Sequence, residues 1–257
     1  MAIHSIRAVL FDMGGTLEDL YYDEAIRQQA ARDLRQFLAE RDLDPGLDAP
    51  ALRAAVAAGL EAYQAWRERS EIELPPERVW TEYLLADHGL SKERLRAAAD
   101  DLSMFYETHY YVRRLRPEAP ATLAALRERG LRLAVISNTL SRRLMPRQLV
   151  EYGLAHYFNP VVTSASFGWR KPNERIFAEA ARLLDLPPAA CAYVGDTVSR
   201  DVIGARRAGY GRVIQIKSFL TDKADRNTES VPPDAVIDDL SQVLALVTQL
   251  AEAVHEQ

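Results

Sequence analysis

The sequence predicts an α/β protein: a doubly wound parallel sheet with an all-helical module inserted after its first strand. Three observations carry this reading. Short apolar runs, several ending in an acid or a hydroxyl, alternate with helical segments, which implies a parallel sheet covered on both faces. Between the first run and the second lies an interval of roughly 95 residues with no convincing strand, rich in alanine, leucine, glutamate and arginine and too long for a crossover. The chain of 257 residues, 48% hydrophobic and 27% charged, is long enough for one large domain or a core with a smaller partner.

Taken in order, residues 6–12 (IRAVLFD) read as a short apolar strand ending in Asp12, followed by Gly14 and Gly15. Breaks at Asp44-Pro45-Gly46, Leu74-Pro75-Pro76 and His88-Gly89 divide residues 20 to 115 into about four helices, with apolar residues at helical spacing such as Leu34, Phe37, Leu38 and Val79, Tyr83, Leu84. The two ends of that module are expected to sit close together at the sheet's edge. Arg113, Arg114 and Arg116 mark its return and read as a solvated hinge. A helix-like stretch ending at Gly130 precedes a second strand at 131–137 (LRLAVIS), and ARLLDLPPAA precedes a third at 192–196 (AYVGD). Weaker strand candidates lie at 161–163, 212–216 and 235–237. A polar stretch at 221–230 and the pair Pro232-Pro233 lead to the last of these, and an amphipathic helix from about 241 to 254 closes the chain.

Composition excludes several classes. Lys and Arg total 32 against 37 Asp and Glu, a net charge of -5, so no general field draws polyanions and neither nucleic acid nor an anionic membrane is expected as the main partner. The single cysteine, Cys191, precludes a disulfide within the chain and any cysteine-clustered metal site, and it reads as buried packing. No apolar run reaches the roughly 18 to 20 residues of a membrane span, and the apolar stretch in MAIHSIRAVLFDMGG is too short for a signal peptide, so a cytoplasmic location is expected. Only Lys92, Lys171, Lys217 and Lys223 are lysines, which singles out each of them.

In a doubly wound sheet ligands bind beyond the carboxyl ends of the strands. There the sequence delivers Asp12, Ser137 with Asn138, and Asp196 with Asp201 five residues on; a loop at 168–172 (GWRKP) adds Lys171. Three carboxylates in one place repel one another unless a hard cation lies among them, and Mg2+ is characteristically held by one or two carboxylates, water and phosphate oxygens. Ser137 can donate a hydrogen bond, Lys171 supplies a compact positive charge, and Gly14 and Gly15 let backbone amides turn toward an anion. The set reads as a phosphate site with a metal, where a carboxylate in line with phosphorus can act as a nucleophile.

Four motifs in this order resemble the haloacid dehalogenase superfamily: Asp12-Met13-Gly14-Gly15-Thr16-Leu17, Val135-Ile136-Ser137-Asn138, Lys171-Pro172, and Gly195-Asp196 followed by Asp201 and Gly204-Ala205-Arg206-Arg207-Ala208-Gly209. The resemblance implies a Rossmann-like core of residues 1–17 and 116–257 and a helical cap, 18–115, that closes over the site and contributes specificity. It implies that Asp12 is the nucleophile and a metal ligand, that Ser137 and Lys171 hold the transferred group, and that Asp196 and Asp201 sit on or beside Mg2+. The Gly14 carbonyl would be a further metal ligand. Gly14, Gly15, Thr16 and Asn138 would complete the phosphate-binding set, with loop shaping as the other role open to Thr16 and Asn138.

The sequence departs from the superfamily's phosphatases at Gly14, a position resembling the second aspartate that protonates the leaving group and activates water. Loss of such a group typically costs a factor of about 10² to 10⁴. The implied activity is therefore a Mg2+-dependent phosphatase of a small phosphorylated metabolite, best suited to acyl phosphates or activated aryl esters. Two alternatives stand beside it. One is a weakly active or non-catalytic module that binds Mg2+ and a phosphoanion; the other is a carbon-bond hydrolase of phosphonatase or dehalogenase type. The first type needs a Schiff-base lysine in the cap, where only Lys92 is available, and the second does not need the Asp196–Asp201 pattern. Within the module Tyr21, Tyr22, Arg27, Trp66, Trp80, Tyr83, Tyr110 and Tyr111 read as packing rather than ligand contacts, and His88 and His109 as structural or exposed.

Overall fold

The computed structural model of the chain describes residues 5–219, 221 and 231–252. Its strands are β1 (Ala8–Phe11), β2 (Glu18–Tyr21), β3 (Val112–Leu115), β4 (Arg132–Ser137), β5 (Val161–Thr163), β6 (Cys191–Gly195), β7 (Arg212–Ile216) and β8 (Ala235–Ile237). Six of them pair in parallel in the order β5-β4-β1-β6-β7-β8. The order runs outward in both directions from β1, so the carboxyl ends of β1, β4 and β6 meet at the switch point of the sheet, where ligand crevices form.

Alternation along the strands assigns their side chains to two faces. Val9, Phe11, Leu133, Val135, Ala192, Val194, Ile214 and Ile216 join helices α5 (Ala119–Glu128), α6 (Leu144–Glu151) and α9 (Val243–Glu252) on one face. Ala8, Leu10, Ala134, Ile136, Cys191, Tyr193 and Val213 meet α7 (Glu174–Leu183) and α8 (Ile203–Arg207) on the other. Each fully buried Leu, Ile, Val or Phe contributes roughly 1.5–3 kcal/mol. The central strands are mostly apolar, β4 carrying Arg132 and Ser137 only at its ends, because both of their faces are covered.

Residues 24–109 pack around an apolar cluster of their own through α1 (Glu24–Ala39), α2 (Ala49–Ser70), α3 (Pro76–Val79) with a π-turn at Trp80–Leu84, and α4 (Lys92–His109). Asp23 and Asp48 cap the first two helices by accepting from Ile26 N and Ala51 N, each 2.8 Å away. Trp80 is fully buried and donates its indole N–H to Ser103 Oγ, 2.9 Å away. Replacing it with alanine would remove the largest side chain of the cluster, at a cost of about 3–5 kcal/mol.

Two expectations need correction. The interval read as free of strands begins and ends in one: β2 pairs antiparallel with β3, Glu18 opposite Leu115 and Tyr21 opposite Val112. Neither EDLY nor VRRL has a strand-like alternation, so the ribbon exists only because the fold brings together segments more than 90 residues apart. The arginines read as a solvated hinge are not solvated as a group. Arg116 is buried and donates to Gly15 O (3.1 Å) and Lys217 O (2.9 Å), and Arg113 pairs with the fully buried Glu18; only Arg114 is exposed. The reason is again the ribbon, which turns these side chains inward.

Most of the polar stretch, 222–230, and the expected helix end at Val254 lie outside the described residues. Among the described residues no helix is long and apolar enough to cross a membrane.

Candidate active site

At the end of β1 the backbone of Asp12 is tied to β6 through its N–H to Val194 O (2.9 Å), and the chain then turns tightly as Met13 O accepts from Thr16, Leu17 and Glu18 N–H groups. Gly15 sits in that turn at φ +89°, and a Cβ there would lie 2.3 Å from Asp196 Oδ2. No other residue meets both demands.

The loop brings Asp12 beside Asp196, at the end of β6, and Asp201, in the turn that follows; oxygens of all three buried carboxylates lie within 4.8 Å of one another. Lys171 Nζ stands 2.8 Å from Asp12 Oδ1, 2.7 Å from Asp201 Oδ1 and 3.0 Å from Tyr193 Oη. The Lys171 backbone is held in turn by Asn138, whose side-chain amide donates to Lys171 O (3.0 Å) and accepts from Lys171 N (2.9 Å).

The carboxylates are not equivalent. Asp201 has both oxygens engaged, one by Lys171 and Tyr193 and the other by Thr197 N–H (3.0 Å) and Oγ1 (2.7 Å). Asp196 accepts from Ser218 Oγ on Oδ2 (2.6 Å), while its Oδ1 is buried without a protein partner. Burial and then the Asp201 and Asp12 carboxylates push Asp196 up to about 7, and burial likewise raises Asp12 against the pull of Lys171. Asp201 is also desolvated, but Lys171 and Arg200 outweigh that and hold it below the usual carboxylate range. Burial opposes the charge of Lys171, yet Asp12 and Asp201 together hold it above the ordinary value.

An all-oxygen set of three carboxylates offset by one lysine, with one buried oxygen unpaired, suits a hard divalent cation such as Mg2+. Asp196 Oδ1 and Asp12 have capacity to bind it. Asp201 is already occupied in orienting Lys171 and Thr197.

A cleft of about 100 Å³ opens over Asp12, lined also by Gly14, Leu20, Arg113, Ser137, Asn138, Thr139, Met145, Lys171 and Arg200. Asp12 is the only carboxylate in that lining. A Cβ on Gly14 would lie 2.7 Å from Leu20 Cδ1, so the space beside Gly14 is filled by the β2 leucine. Another cavity, of about 980 Å³, lies between α4 and α6 and touches none of the three carboxylates.

Ser137, Asn138, Lys171 and Gly14 thus face the cleft with Asp12. Two other residues expected there do not. Gly15 gives its N–H to Glu18 O (2.7 Å), so that amide is not turned toward a ligand; its part is to let Asp196 approach the loop. Thr16 is fully buried under the loop and absent from the cleft lining. Tyr22 and Tyr111, read as packing, line an adjoining cavity as well as touching each other edge to face. Leu20, Thr139, Met145, Tyr193 and Arg200 are not singled out in the sequence, and Arg113 reads there as part of a solvated hinge. Arg200 carries a local signal, its place between Asp196 and Asp201, and Arg113 another, its place in the arginine cluster.

A family model described as haloacid dehalogenase-like hydrolase matches residues 6–209. A glyceraldehyde 3-phosphate phosphatase of Methanopyrus kandleri is 33% identical over 96% of this chain and 99% of its own length. A phosphoserine phosphatase of Thermus thermophilus is 37% identical over 76% of this chain and 70% of its own. Among solved structures, a 2-haloacid dehalogenase from Pseudomonas syringae aligns with a TM-score of 0.63 at 26% identity, covering 95% of this chain and 99% of that one.

Proposed function

Because the chain belongs to the haloacid dehalogenase-like hydrolase family and is a hydrolase, we propose that it is a Mg2+-dependent phosphatase acting on a small phosphorylated metabolite through an aspartyl-phosphate on Asp12. The observation that carries this reading is the pairing of one cleft-facing carboxylate, Asp12, with the buried and unpaired Asp196 Oδ1 in a site that Lys171 alone does not neutralise. The names of the phosphatases similar over most of this chain point the same way.

In the proposed reaction the free oxygen of Asp12 attacks phosphorus, and the bond to the leaving oxygen breaks with its electron pair remaining on that oxygen. Lys171 stays protonated and offsets charge on the transferred group, and Ser137 donates a hydrogen bond to it. Water then displaces Asp12 from phosphorus, releasing inorganic phosphate. Asp12, Asp196 and the Gly14 carbonyl would hold Mg2+, with Asp201 beside it, and the ion would supply positive charge opposite the phosphoryl oxygens. Residues 18–115 serve as a cap whose packing over the cleft limits water at the acyl phosphate.

Glycine at position 14 leaves the departing oxygen without an acid, so acyl and activated aryl phosphates, whose carboxylate and phenolate leaving groups need little protonation, are the preferred substrates. The structural likeness to a 2-haloacid dehalogenase favours a second reading, attack of Asp12 on carbon, but that reaction leaves the Asp196 environment without a purpose. Phosphate release from acetyl phosphate and p-nitrophenyl phosphate with Mg2+ tests the proposal. Asp12→Asn should abolish it; equal rates in the variant and the native chain would remove Asp12 as nucleophile, and halide release from 2-chloropropionate instead of phosphate release would favour the carbon-bond reaction.

A further inference from the structure

The Asp12 cleft opens into a second cavity of about 320 Å³, and Leu20, Arg113, Asn138, Thr139 and Arg200 line both. These five residues mark the boundary between the space over Asp12 and the space beyond it. An in-line displacement puts the leaving oxygen on the side of phosphorus away from Asp12. The cleft, about 100 Å³, holds a phosphoryl group and little more, so the leaving group extends past these five residues. Gly14 has no side chain, and Leu20 fills the space beside it, so neither has a proton to give there. Charge that develops on the leaving oxygen therefore needs a donor from another residue.

Lys171 does not supply it, because Nζ faces Asp12 (2.8 Å), Asp201 (2.7 Å) and Tyr193 (3.0 Å), which accounts for its three N–H groups. Arg113 is matched by the buried Glu18 and gives its Nε–H to Glu107 O (2.9 Å). Asn138 uses both ends of its amide on the Lys171 backbone, and Thr139 donates its hydroxyl to Ser141 O (3.0 Å). Arg200 brings a planar fork of five N–H donors to the same boundary. It lies in the π-turn Val198–Val202, a kind of turn frequent at functional sites. Its Nε donates to Thr197 Oγ1 (3.2 Å), the hydroxyl that in turn donates to Asp201 (2.7 Å), so the guanidinium is anchored beside the carboxylates. Its charge reaches them: burial raises Asp12 and Asp196, and Arg200 is among the groups that draw both back down.

Beyond the boundary the outer cavity is also positive. Arg67 Nη1 is 3.7 Å from Glu73 Oε1 and Arg170 Nε is 3.3 Å from Glu73 Oε2, so two guanidiniums share one buried carboxylate. The Nε groups of both are buried without a hydrogen-bond acceptor, the 3.3 Å approach being an ion pair without hydrogen-bond alignment. The field along the way out favours a group that leaves as an anion.

We propose that Arg200 is a catalytic residue of the Asp12 reaction, whose guanidinium binds the leaving oxygen as charge develops on it and takes the place of the acid absent at position 14. The proposal rests on the phosphatase reading of Asp12. As the bond from phosphorus to the leaving oxygen breaks, the electron pair stays on that oxygen. Arg200 donates a hydrogen bond to it and keeps its proton, since a guanidinium is not deprotonated in proteins. A carboxylate or phenolate departs as the anion with no proton transferred. An alkoxide, far more basic, needs the proton itself.

Steady-state kinetics of the full chain with Mg2+ on 2,4-dinitrophenyl, 4-nitrophenyl and phenyl phosphate test the inference, because leaving-group basicity rises along that series. Arg200→Gln should lower kcat/KM by less than about 10-fold on the first and by roughly 10²- to 10³-fold on the last, the effect of removing one donor from a developing oxyanion. Arg200→Lys should keep part of the rate, while melting curves establish that each variant is folded. An equal loss on all three substrates, which a structural or metal-site defect would give, overturns the proposal, and so does no loss at all. In either case Asp12-dependent phosphate release leaves the phosphatase reading intact. Ionisation of 4-nitrophenol in the presence of excess protein, followed by phenolate absorbance, reads the same contact without turnover. With the native chain the phenol should ionise about one pH unit lower than with Arg200→Gln, a roughly 10-fold preference for the anion. Equal ionisation with both chains refutes the role of Arg200 even where no phosphatase activity is found.

Discussion

Gly14→Asp adds a carboxyl two residues beyond Asp12, where none faces the cleft. Gly14 does not have a left-handed backbone, so an L-residue is tolerated in principle. The obstacle is Leu20, whose Cδ1 would lie 2.7 Å and Cγ 3.4 Å from the new Cβ. Leu20 is only half-buried, and the contact is with the far end of its side chain, so a rotamer change of about 1 kcal/mol should relieve it. A positioned general acid contributes a factor of about 10² to 10⁴, or ~2.7–5.4 kcal/mol, which exceeds that cost.

The net expectation is a rise in kcat on an alkyl phosphate such as glycerol 3-phosphate of roughly 10- to 1000-fold. Acetyl phosphate, whose leaving group departs as an anion, should change by less than about threefold. Adding Leu20→Ala to Gly14→Asp should recover the part of the gain lost to the clash. Initial phosphate release at neutral pH with saturating Mg2+ measures each rate. An equal factor on both substrates, or no gain on glycerol 3-phosphate in the folded double variant, would refute the idea that the missing acid at position 14 limits alkyl substrates.

Asp196→Asn should remove Mg2+-dependent stabilisation and raise the melting temperature of the metal-free chain by relieving repulsion with Asp12 and Asp201; scanning calorimetry with and without Mg2+ checks both, and an unchanged Mg2+ shift would exclude Asp196 as a ligand. Gly15→Ala should destabilise by more than about 2 kcal/mol, since it combines left-handed backbone strain with a 2.3 Å approach to Asp196; denaturation in urea within about 0.5 kcal/mol of the native chain would contradict that. Burial raises the Glu107 carboxyl from its ordinary 4.5 to about 7, so between those values the folded chain holds a proton that the unfolded chain has lost, and stability falls as pH rises through that window by up to ~3 kcal/mol. Glu107→Gln should flatten the fall at the expense of about 1 kcal/mol at pH about 5, where one of the Leu140 and Ser141 N–H groups loses its acceptor. Identical pH dependence of urea unfolding in both proteins would show that Glu107 is not its source.

Asp12, Ser137, Lys171 and Asp196 were legible in the sequence because each follows or ends a short apolar run or sits in a short loop, and the ends of such runs are where a parallel sheet presents chemistry. Arg67 and Glu73 had no such marker. Arg67 is one of many arginines on a helix, and its meaning depends on Arg170, more than 100 residues away, leaning on the same carboxylate. Tyr193 was hidden differently: strand alternation sends it to the buried face, and only the crossing of the Lys171 loop puts its hydroxyl 3.0 Å from Nζ. Gly15 misled because a glycine pair looks like an anion-binding turn whether its amides face a ligand or, as here, a carbonyl of the same loop.

The parallel α/β core, the helical interval and the residues at the strand ends can be read from the sequence alone, since these follow from periodicity and spacing within about a dozen neighbours. The sequence also exposes the gap at Gly14. Packing brings Leu20 into that gap, occupies Asp201 while leaving Asp196 an oxygen to spare, and sets two arginines on one glutamate beside the cleft. Those outcomes depend on which distant groups compete for the same buried hydrogen bonds, and that competition is settled when helices, ribbon and sheet pack together.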